Sequence, residues 1–207
     1  MRIDAISIFP DYFQALDLSL LGKAREKEIL DFKAHDLRTY THDKHRTVDD
    51  SPYGGGAGML MKPEPWGEAF DDILAPDGSS AVIFTSPAGE LFKQETAYEL
   101  ARLPHLVFAC GRYEGIDQRF IDAYVDAQIS LGDFVLSGGE IAAMTLLDAV
   151  ARLQPGVLND AGSHQLDSFN PALDGLLDCP HYTRPEQWQG QGVPAELMSG
   201  HHLNIER

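Results

Sequence analysis

Side chains of the types used in acid–base chemistry stand in a part of the chain that has no regular periodicity. Arg152 ends a long apolar helical pattern, and Asp167 and Asp178 follow in the irregular stretch behind it. One Asp near one Arg is usually a surface ion pair that contributes about 0–1 kcal/mol. Two acids and an arginine where no fold demands them favour a functional role. Carboxylates move protons and guanidinium groups stabilise negative charge, so these three residues are candidate functional residues.

Three glycine-marked loops, at residues 53–59, 111–117 and 130–140, are the second set of candidates. Glycine lets a backbone turn sharply and approach a ligand closely. In the second loop an aromatic ring and a carboxylate lie between the glycines, which suits a positively charged, partly apolar ligand such as S-adenosylmethionine. In the third, backbone amides and carbonyls could read an adenine. Each loop alone is a weak signal, because a flexible surface loop, a helix cap at Asp117 and a plain strand–helix connection would also explain them.

Spacing argues against several other kinds of site. No Lys-Ser/Thr pair follows the glycine run, so it is not a P-loop. No Gly-x-Gly-x-x-Gly follows the first strand pattern, which argues against a dinucleotide-dependent dehydrogenase. His42 and His45 supply only half of a zinc site. Neither Cys110 nor Cys179 has a partner at metal-ligand spacing, so no protein-built metal site is predicted and both cysteines are expected as reduced thiols.

Short apolar runs alternate with amphipathic segments along the chain, and these elements must position the candidates. Strands are predicted at residues 3–9, 30–34, 81–85, 106–110 and 127–131. Helices are predicted at residues 19–27 (capped by Ser19), 63–74, 94–103, 117–124 and 140–153. This alternation predicts an α/β fold, a parallel sheet with helices on both faces. Because ligands bind beyond the carboxyl ends of such strands, loops 86–90, 111–116 and 132–139 should converge on one crevice that holds the cofactor.

Composition and charge set the class of protein. The 207 residues, 43% hydrophobic and 23% charged, suit one large domain with a small appendage. No apolar run could span a membrane and no signal peptide is recognisable at the start, so we expect a cytoplasmic protein. The net charge of −16 opposes binding to nucleic acid. Residues 23–46, the basic strip, nevertheless hold seven of the sixteen Lys and Arg, which is compatible with gripping an RNA stem, although such strips are more often solvated faces.

Four long segments, residues 42–61, 111–117, 130–140 and 175–185, carry a resemblance to a known family. Over essentially its whole length the chain resembles the bacterial tRNA (guanine-37-N1)-methyltransferases of the SPOUT class. The resemblance implies a deep trefoil knot, against the general rule that chains do not knot. It also implies S-adenosylmethionine as the methyl donor and magnesium as a further cation. The implied partners are tRNA with guanine at position 37 and a second copy of the chain, in a homodimer with a shared active site.

The resemblance also implies roles for individual residues. Asp167 matches the general base that would take the proton from guanine N1, and Arg152 matches the residue that supports it. Glu114, Asp167 and Asp178 offer oxygen ligands for magnesium. By position, the residues expected to bind the cofactor are Phe84, Thr85, Ser86, Pro87, Gly111, Tyr113, Glu114, Ser130, Leu131, Gly132, Asp133, Phe134, Val135, Leu136, Gly138 and Gly139.

The chain departs from the family pattern at two places. Asn170-Pro171-Ala172 look like extra residues, and the chain stops at Arg207, where the family continues into a helical, basic domain. We therefore expect a knotted cofactor-binding domain at residues 1–160, a linker carrying catalytic residues at 161–185, and the start of a truncated tRNA-binding domain at 186–207. Two alternatives are a SPOUT enzyme acting on another RNA position and a cofactor-binding RNA-binding module without activity. Asp167, Arg152 and the His181-Tyr182 segment favour the guanine-37 enzyme over both.

Overall fold

A central sheet of five parallel strands organises the first part of the chain. The computed structural model describes residues 1–158 and 167–201. Its strands are β1 (Arg2–Ser7), β2 (Asp31–Asp36), β3 (Asp49–Asp50), β4 (Leu60–Met61), β5 (Ser80–Leu91), β6 (His105–Ala109), β7 (Ala127–Ser130), β8 (Gln187–Trp188) and β9 (Gln191–Gly192). Its α-helices are α1 (Ser19–Glu26), α2 (Pro63–Ile73), α3 (Gln94–Leu100), α4 (Gln118–Tyr124), α5 (Glu140–Ala151) and α6 (Ala195–Met198). Short 3₁₀ helices span Pro10–Asp17, Leu37–Tyr40 and Pro171–Leu173.

The chain divides into two units, Met1–Gln165 and Leu166–Arg207. The domain boundary expected between residues 160 and 161 and the chain end at Arg207 lie outside the described residues. Within the first unit the strand order is β2-β1-β6-β5-β7, and helices connect two of the four neighbouring pairs directly, α1 between β1 and β2 and α3 between β5 and β6. The sheet confirms the predicted α/β fold class.

Helices cover both faces of this sheet, because successive residues of each strand point to opposite sides. Leu106 and Phe108 of β6 belong to the buried cluster that includes α1, α3 and α5. Val107 and Ala109 belong to the cluster on the other face, which includes α2 and α4. The sheet is therefore the middle layer of three, and its apolar strands read as continuous runs because both faces are buried.

Two local predictions are wrong. Ser19 does not cap α1: the N-cap is Leu18, and Ser19 lies at φ +53° without a capping hydrogen bond. The reason is that the 3₁₀ helix Pro10–Asp17 runs almost directly into α1, so that the cap position falls one residue earlier. Residues 86–90, predicted as a loop, lie within β5, where the pairing with β7 shifts register between Thr85 and Glu90.

The cap predicted at Asp117 is confirmed. Its carboxylate accepts a hydrogen bond from the Arg119 backbone N–H at 2.9 Å at the start of α4. The other predicted strands and helices of the first unit are present, with ends that differ by a few residues. Ends are the least determined part of an element, because fraying and caps depend on tertiary contacts.

A buried polar network lies on the sheet around Asp4, which is 1% exposed. Its carboxylate accepts hydrogen bonds from His35 Nε2 at 2.5 Å, His105 Nε2 at 2.8 Å and Arg2 Nε at 2.7 Å. The Ser80 hydroxyl lies 2.7 Å from His105 Nδ1, which orients that ring. Burial alone would raise the pKa of Asp4, but the hydrogen bonds from these three donors hold it below its ordinary value of 3.8.

The second unit is smaller and contains less regular structure. Its described part contains the 3₁₀ helix Pro171–Leu173, the antiparallel pair β8–β9 and the short helix α6. Across residues 1–158 and 167–201, no helix has both the length and the apolar composition needed to cross a membrane.

Candidate active site

A cleft of about 410 Å³ opens beside the ends of β6 and β7 and the middle of β5 in the first unit. This volume lies within the range of about 300–1,000 Å³ that is usual for sites that bind small molecules. The walls come from residues 84–88, 111–116 and 134–139, together with the end of β7. The three segments predicted to converge at the carboxyl edge of the sheet therefore do so.

Nearly all residues expected to bind the cofactor line this cleft. They are Phe84, Thr85, Ser86, Pro87, Gly111, Tyr113, Glu114, Ser130, Leu131, Phe134, Val135, Leu136, Gly138 and Gly139. Gly132 and Asp133 are not among the lining residues, and Asp133 is exposed. The Ser130 hydroxyl hydrogen-bonds to the backbone N–H and carbonyl of Gly132, both at 3.2 Å. Gly132 thereby helps to shape the loop.

Glycines allow two of the cleft segments to touch. The Gly139 N–H donates to the Gly111 carbonyl at 2.9 Å, and the Thr85 hydroxyl donates to the Gly139 carbonyl at 3.2 Å. A Cβ on Gly139 would lie 2.3 Å from Thr85 Oγ1 and 3.0 Å from Cys110 Cα. A Cβ on Gly111 would lie 2.9 Å from the Phe84 ring. Side chains larger than hydrogen would therefore push these segments apart.

The glycine run at residues 53–59 packs against the second cleft segment through its last part. The Glu114 N–H donates to the Met59 carbonyl at 3.0 Å, and a Cβ on Gly58 would lie 2.5 Å from Glu114 Oε1. Gly58 also has φ +90°, a conformation that favours glycine. By contrast, a Cβ on Gly54, Gly55 or Gly56 would meet nothing within 4 Å. The end of the run thus supports the cleft, and its tip is open.

Tyr113 is held in an unusual conformation at the cleft. Its φ is +61°, its side chain is half exposed, and it is followed by Gly115 at φ +113°. A non-glycine residue in the left-handed region costs about 1–3 kcal/mol and often marks a binding site. The turn thereby presents Tyr113 and the exposed Glu114 carboxylate at the mouth of the cleft.

Several lining residues were not among those expected to bind the cofactor. Five of them lie in the loops predicted to form the crevice, namely Ala88, Arg112, Gly115, Ile116 and Ser137, and others lie in α4, β7 and α5, namely Gln118, Ile121, Gln128, Ile129 and Ala142. Arg112 lies between Gly111 and Tyr113, which were both expected to bind the cofactor, and its side chain is held in place by an ion-pair partner. That partner is Glu140 at the start of α5, which is 1% exposed and forms an ion pair with Arg112 at 3.0 Å.

The candidate catalytic residues belong to different units, and each is described within its own. Arg152 is half-buried and is the C-cap of α5 in the first unit. Asp167 is half-buried in the second unit, where its carbonyl accepts a hydrogen bond from the Asn170 N–H at 3.2 Å. Asn170, the first of the three extra residues, is 6% exposed and also accepts from Leu173 N–H at 3.0 Å. The extra residues thus form a compact turn beside Asp167.

Asp178 is held by its neighbours in the same unit. Its carboxylate lies 2.7 Å from His181 Nε2 and accepts from the Cys179 N–H at 2.7 Å, and these bonds hold its pKa below its ordinary value. Ligand atoms of Asp178, Cys179 and His181 lie within 4.8 Å of one another. That the cysteines build no metal site stays a prediction, because exposed groups of this kind are common without a metal ion. The close group arises from a local turn of consecutive residues, which cysteine spacing does not reveal.

Known proteins are similar to this chain over nearly all of its length. The chain matches the family described as tRNA (guanine-1)-methyltransferase TrmD over residues 1–207. It is 55% identical to the tRNA (guanine-N(1)-)-methyltransferase of Clavibacter sepedonicus, with 98% of this chain and 89% of the relative covered. It is 56% identical to the enzyme of that name from Leifsonia xyli subsp. xyli, with the same shares covered, and 54% identical to that from Cutibacterium acnes, with 100% and 89% covered. The chain belongs to the tRNA (guanine-1)-methyltransferase family.

Proposed function

We propose that this chain transfers a methyl group from S-adenosylmethionine to N1 of guanosine-37 in tRNA. The observation that carries the proposal is the cleft, because three separate segments of the chain, two of which carry the family resemblance, meet there to form one site of suitable size. The relatives' names give the reaction type and the class of RNA. The trefoil knot that the family implies would explain how such distant motifs are held together.

The lining of the cleft fits this cofactor. An adenosine group requires apolar walls, which Phe84, Leu131 and Leu136 supply, and it requires backbone groups to hydrogen-bond, which the glycine-rich segments supply. The exposed carboxylate of Glu114 offers a counter-charge for a cationic ligand. When bound, S-adenosylmethionine would supply an electrophilic methyl group at its sulfonium centre.

Asp167 and Arg152 would act on the guanine. N1 carries a proton and is a poor nucleophile until that proton leaves, so a positioned carboxylate is required, and Asp167 is the proposed acceptor. Negative charge then spreads onto O6, where the guanidinium of Arg152 would stabilise it. Asp167 would hold the proton that leaves N1, and the N1 lone pair would then be free to bond to the methyl group that the bound cofactor would supply, with S-adenosylhomocysteine as the leaving group.

Magnesium is the second group that the family resemblance implies. Glu114, Asp167 and Asp178 provide hard oxygen donors of the kind that this cation prefers, whereas the sulfur and imidazole beside Asp178 are poor ligands for it. We propose that magnesium takes part in the reaction and that its charge assists the build-up of negative charge on the guanine.

We also propose that the enzyme is a cytoplasmic homodimer that binds its tRNA through basic groups. Tyr113, Phe134 and Val135 at the cleft are 50%, 53% and 84% exposed, and a second copy that shares the active site would cover such apolar side chains. Five cations of the basic strip are solvent-exposed and available to phosphates: Lys23, Lys27, Lys33, Lys44 and Arg46. Their contacts would outweigh the net charge of −16 locally.

The test is methyl transfer from labelled S-adenosylmethionine to two unmodified tRNA transcripts that differ only in having guanosine or adenosine at position 37. We expect label on the guanosine transcript alone, and little label with the Asp167→Asn variant. Equal labelling of both transcripts would refute the proposed position. If neither transcript is labelled although calorimetry detects S-adenosylhomocysteine binding, the proposed activity of this chain is refuted and its cofactor site is retained.

A further inference from the structure

Arg112 and Glu140 form a buried ion pair that no step of the proposed reaction uses. Glu140 is 1% exposed and the Arg112 side chain 13% exposed. Arg112 Nε lies 3.1 and 3.0 Å from the two carboxylate oxygens of Glu140, and the third contact, from Arg112 Nη2, is 3.0 Å. Burial of a charged pair is costly unless its geometry is good and its remaining atoms are hydrogen-bonded. The burial of this pair at the cleft therefore suggests a structural role for it.

Both partners are fastened on further sides. The Ser7 hydroxyl at the end of β1 donates to Glu140 Oε1 at 2.6 Å. The Arg112 guanidinium lies over the rings of Phe9 and Tyr12, at 4.7 and 5.2 Å from their centroids. Glu140 is also the first residue of α5, where the helix dipole favours a negative charge. The pair is thus tied to the end of β1 and to the start of α5.

The pair bridges two walls of the cleft. Arg112 belongs to the segment 111–116, and Glu140 directly follows the segment 132–139. Between the same two segments the Gly139 N–H donates to the Gly111 carbonyl, and the backbones of Arg112 and Gly138 form an isolated antiparallel β-bridge. A Cβ on Gly138 would lie 2.2 Å from Arg112 Nε, so the guanidinium occupies the space that this glycine leaves.

We infer that Arg112 and Glu140 are positioning residues, whose ion pair sets the distance between the two cleft segments and thereby the affinity for the cofactor. The inference concerns loop geometry and rests on the proposed function only where it names the cofactor. Lysine at position 112 keeps the charge but lacks the planar fork that meets both oxygens of Glu140. The geometry of the cleft should therefore depend on arginine itself.

The first test is hydrogen exchange of backbone amides in the ligand-free protein, which needs no cofactor. In Arg112→Lys we expect amides of residues 111–116 and 132–139 to exchange roughly 10- to 100-fold faster, the factor for losing a hydrogen bond to a charged group. Exchange in α2 and α4 should stay unchanged. Arg119→Lys is the matched control, because Arg119 makes a two-point pair with Asp117 at 2.8 and 2.9 Å on the surface. Unchanged exchange in both segments, or faster exchange throughout the unit, would overturn the inference.

The second test separates positioning from charge balance. We expect Arg112→Met to lower the melting temperature, because it leaves the buried Glu140 charge uncompensated, and Arg112→Met with Glu140→Met to restore it. The double variant should nevertheless keep fast exchange in both segments and bind S-adenosylhomocysteine at least tenfold more weakly than the parent in calorimetry. Parent-like exchange in the double variant would overturn the inference. A parent that does not bind S-adenosylhomocysteine would refute the proposed cofactor site, and the exchange data would still decide the role of the pair.

Discussion

Replacing Gly139 by alanine tests whether the close contact between the cleft segments matters for binding. The added Cβ would lie 2.3 Å from Thr85 Oγ1, 3.0 Å from Cys110 Cα and 3.2 Å from Gly111 N. Ordinary contacts of this kind begin near 3.4 Å, and two of the three neighbouring atoms are backbone. Rotation of the Thr85 side chain would relieve the first contact only, and it would give up the hydrogen bond to the Gly139 carbonyl.

The expected cost follows from these contacts. Overpacking of a buried site costs about 1–3 kcal/mol, and loss of one hydrogen bond about 0.5–1.5 kcal/mol. The two costs do not add in full, because small movements of the chain relieve part of the contact. We therefore expect Gly139→Ala to lower the free energy of unfolding by about 2–3 kcal/mol. For a protein of this size that corresponds to a fall in melting temperature of about 4–12 °C. Because the two cleft segments must move apart to make room for the alanine side chain at position 139, affinity for S-adenosylhomocysteine should fall about 10- to 100-fold.

The matched control is Gly67→Ala in α2. Its Cβ would lie 3.7 Å from the Tyr124 hydroxyl oxygen and 4.0 Å from the Tyr124 ring, which are ordinary contacts, and alanine is favoured over glycine in a helix by about 0.5–1 kcal/mol. We expect Gly67→Ala to keep parent affinity and to melt at the same or a slightly higher temperature. Differential scanning calorimetry and titration calorimetry on the three proteins supply both quantities. Parent-like affinity and stability in Gly139→Ala would refute the claim that the segments are held in contact by this glycine.

Three further predictions address other parts of the molecule. Asp4→Asn should lower the free energy of unfolding at pH 7 by about 3–5 kcal/mol, because a buried charge partner is lost. The folded-state pKa of Asp4 is depressed, so its contribution to the free energy of unfolding is present above the unfolded-state pKa near 4 and is lost as the pH falls below that value. In urea denaturation the variant should therefore lose less stability than the parent between neutral and acid pH. Parallel curves of stability against pH for the two proteins would contradict this. Asp167→Asn should lower kcat by about 10²–10⁴-fold with S-adenosylhomocysteine affinity unchanged, and near-parent turnover would exclude Asp167 as the base. A maleimide should label Cys179, which is exposed, and not Cys110, whose pKa burial raises; mass analysis of native protein labelled at Cys110 would contradict the packing.

The fold class and the place of the cleft could be predicted from the sequence, because they depend on local patterns. Strands such as β6 are continuous apolar runs, and parallel strands bring their following loops to one edge. The loop at residues 111–116 is marked by glycines on both sides of an aromatic ring and a carboxylate, directly after a predicted strand. The prediction failed at residues 86–90, where Ser-Pro-Ala-Gly is typical of a turn. The segment lies within β5, and the pairing with β7 resumes at Glu90, opposite the same residue, Ile129, that pairs with Thr85.

The interactions that hold the cleft could not be predicted, because they join residues far apart in the chain. Glu140 is 28 residues from Arg112 and 133 from Ser7, and no periodicity links them. Likewise, the partners of Asp4 lie on three strands, at separations of up to 101 residues. The roles proposed for Asp167 and Arg152 rest on the family resemblance, since one carboxylate and one guanidinium carry little information on their own.

The central claim is methylation of N1 of guanosine-37, and nucleoside analysis of the reaction product tests it most directly. Unmodified tRNA would be incubated with the enzyme and S-adenosylmethionine, digested to nucleosides and to position-specific fragments, and analysed by mass spectrometry against authentic methylguanosines. We expect 1-methylguanosine, confined to the fragment that contains position 37. A methyl group on another atom of guanine, or 1-methylguanosine in another fragment, would contradict the account.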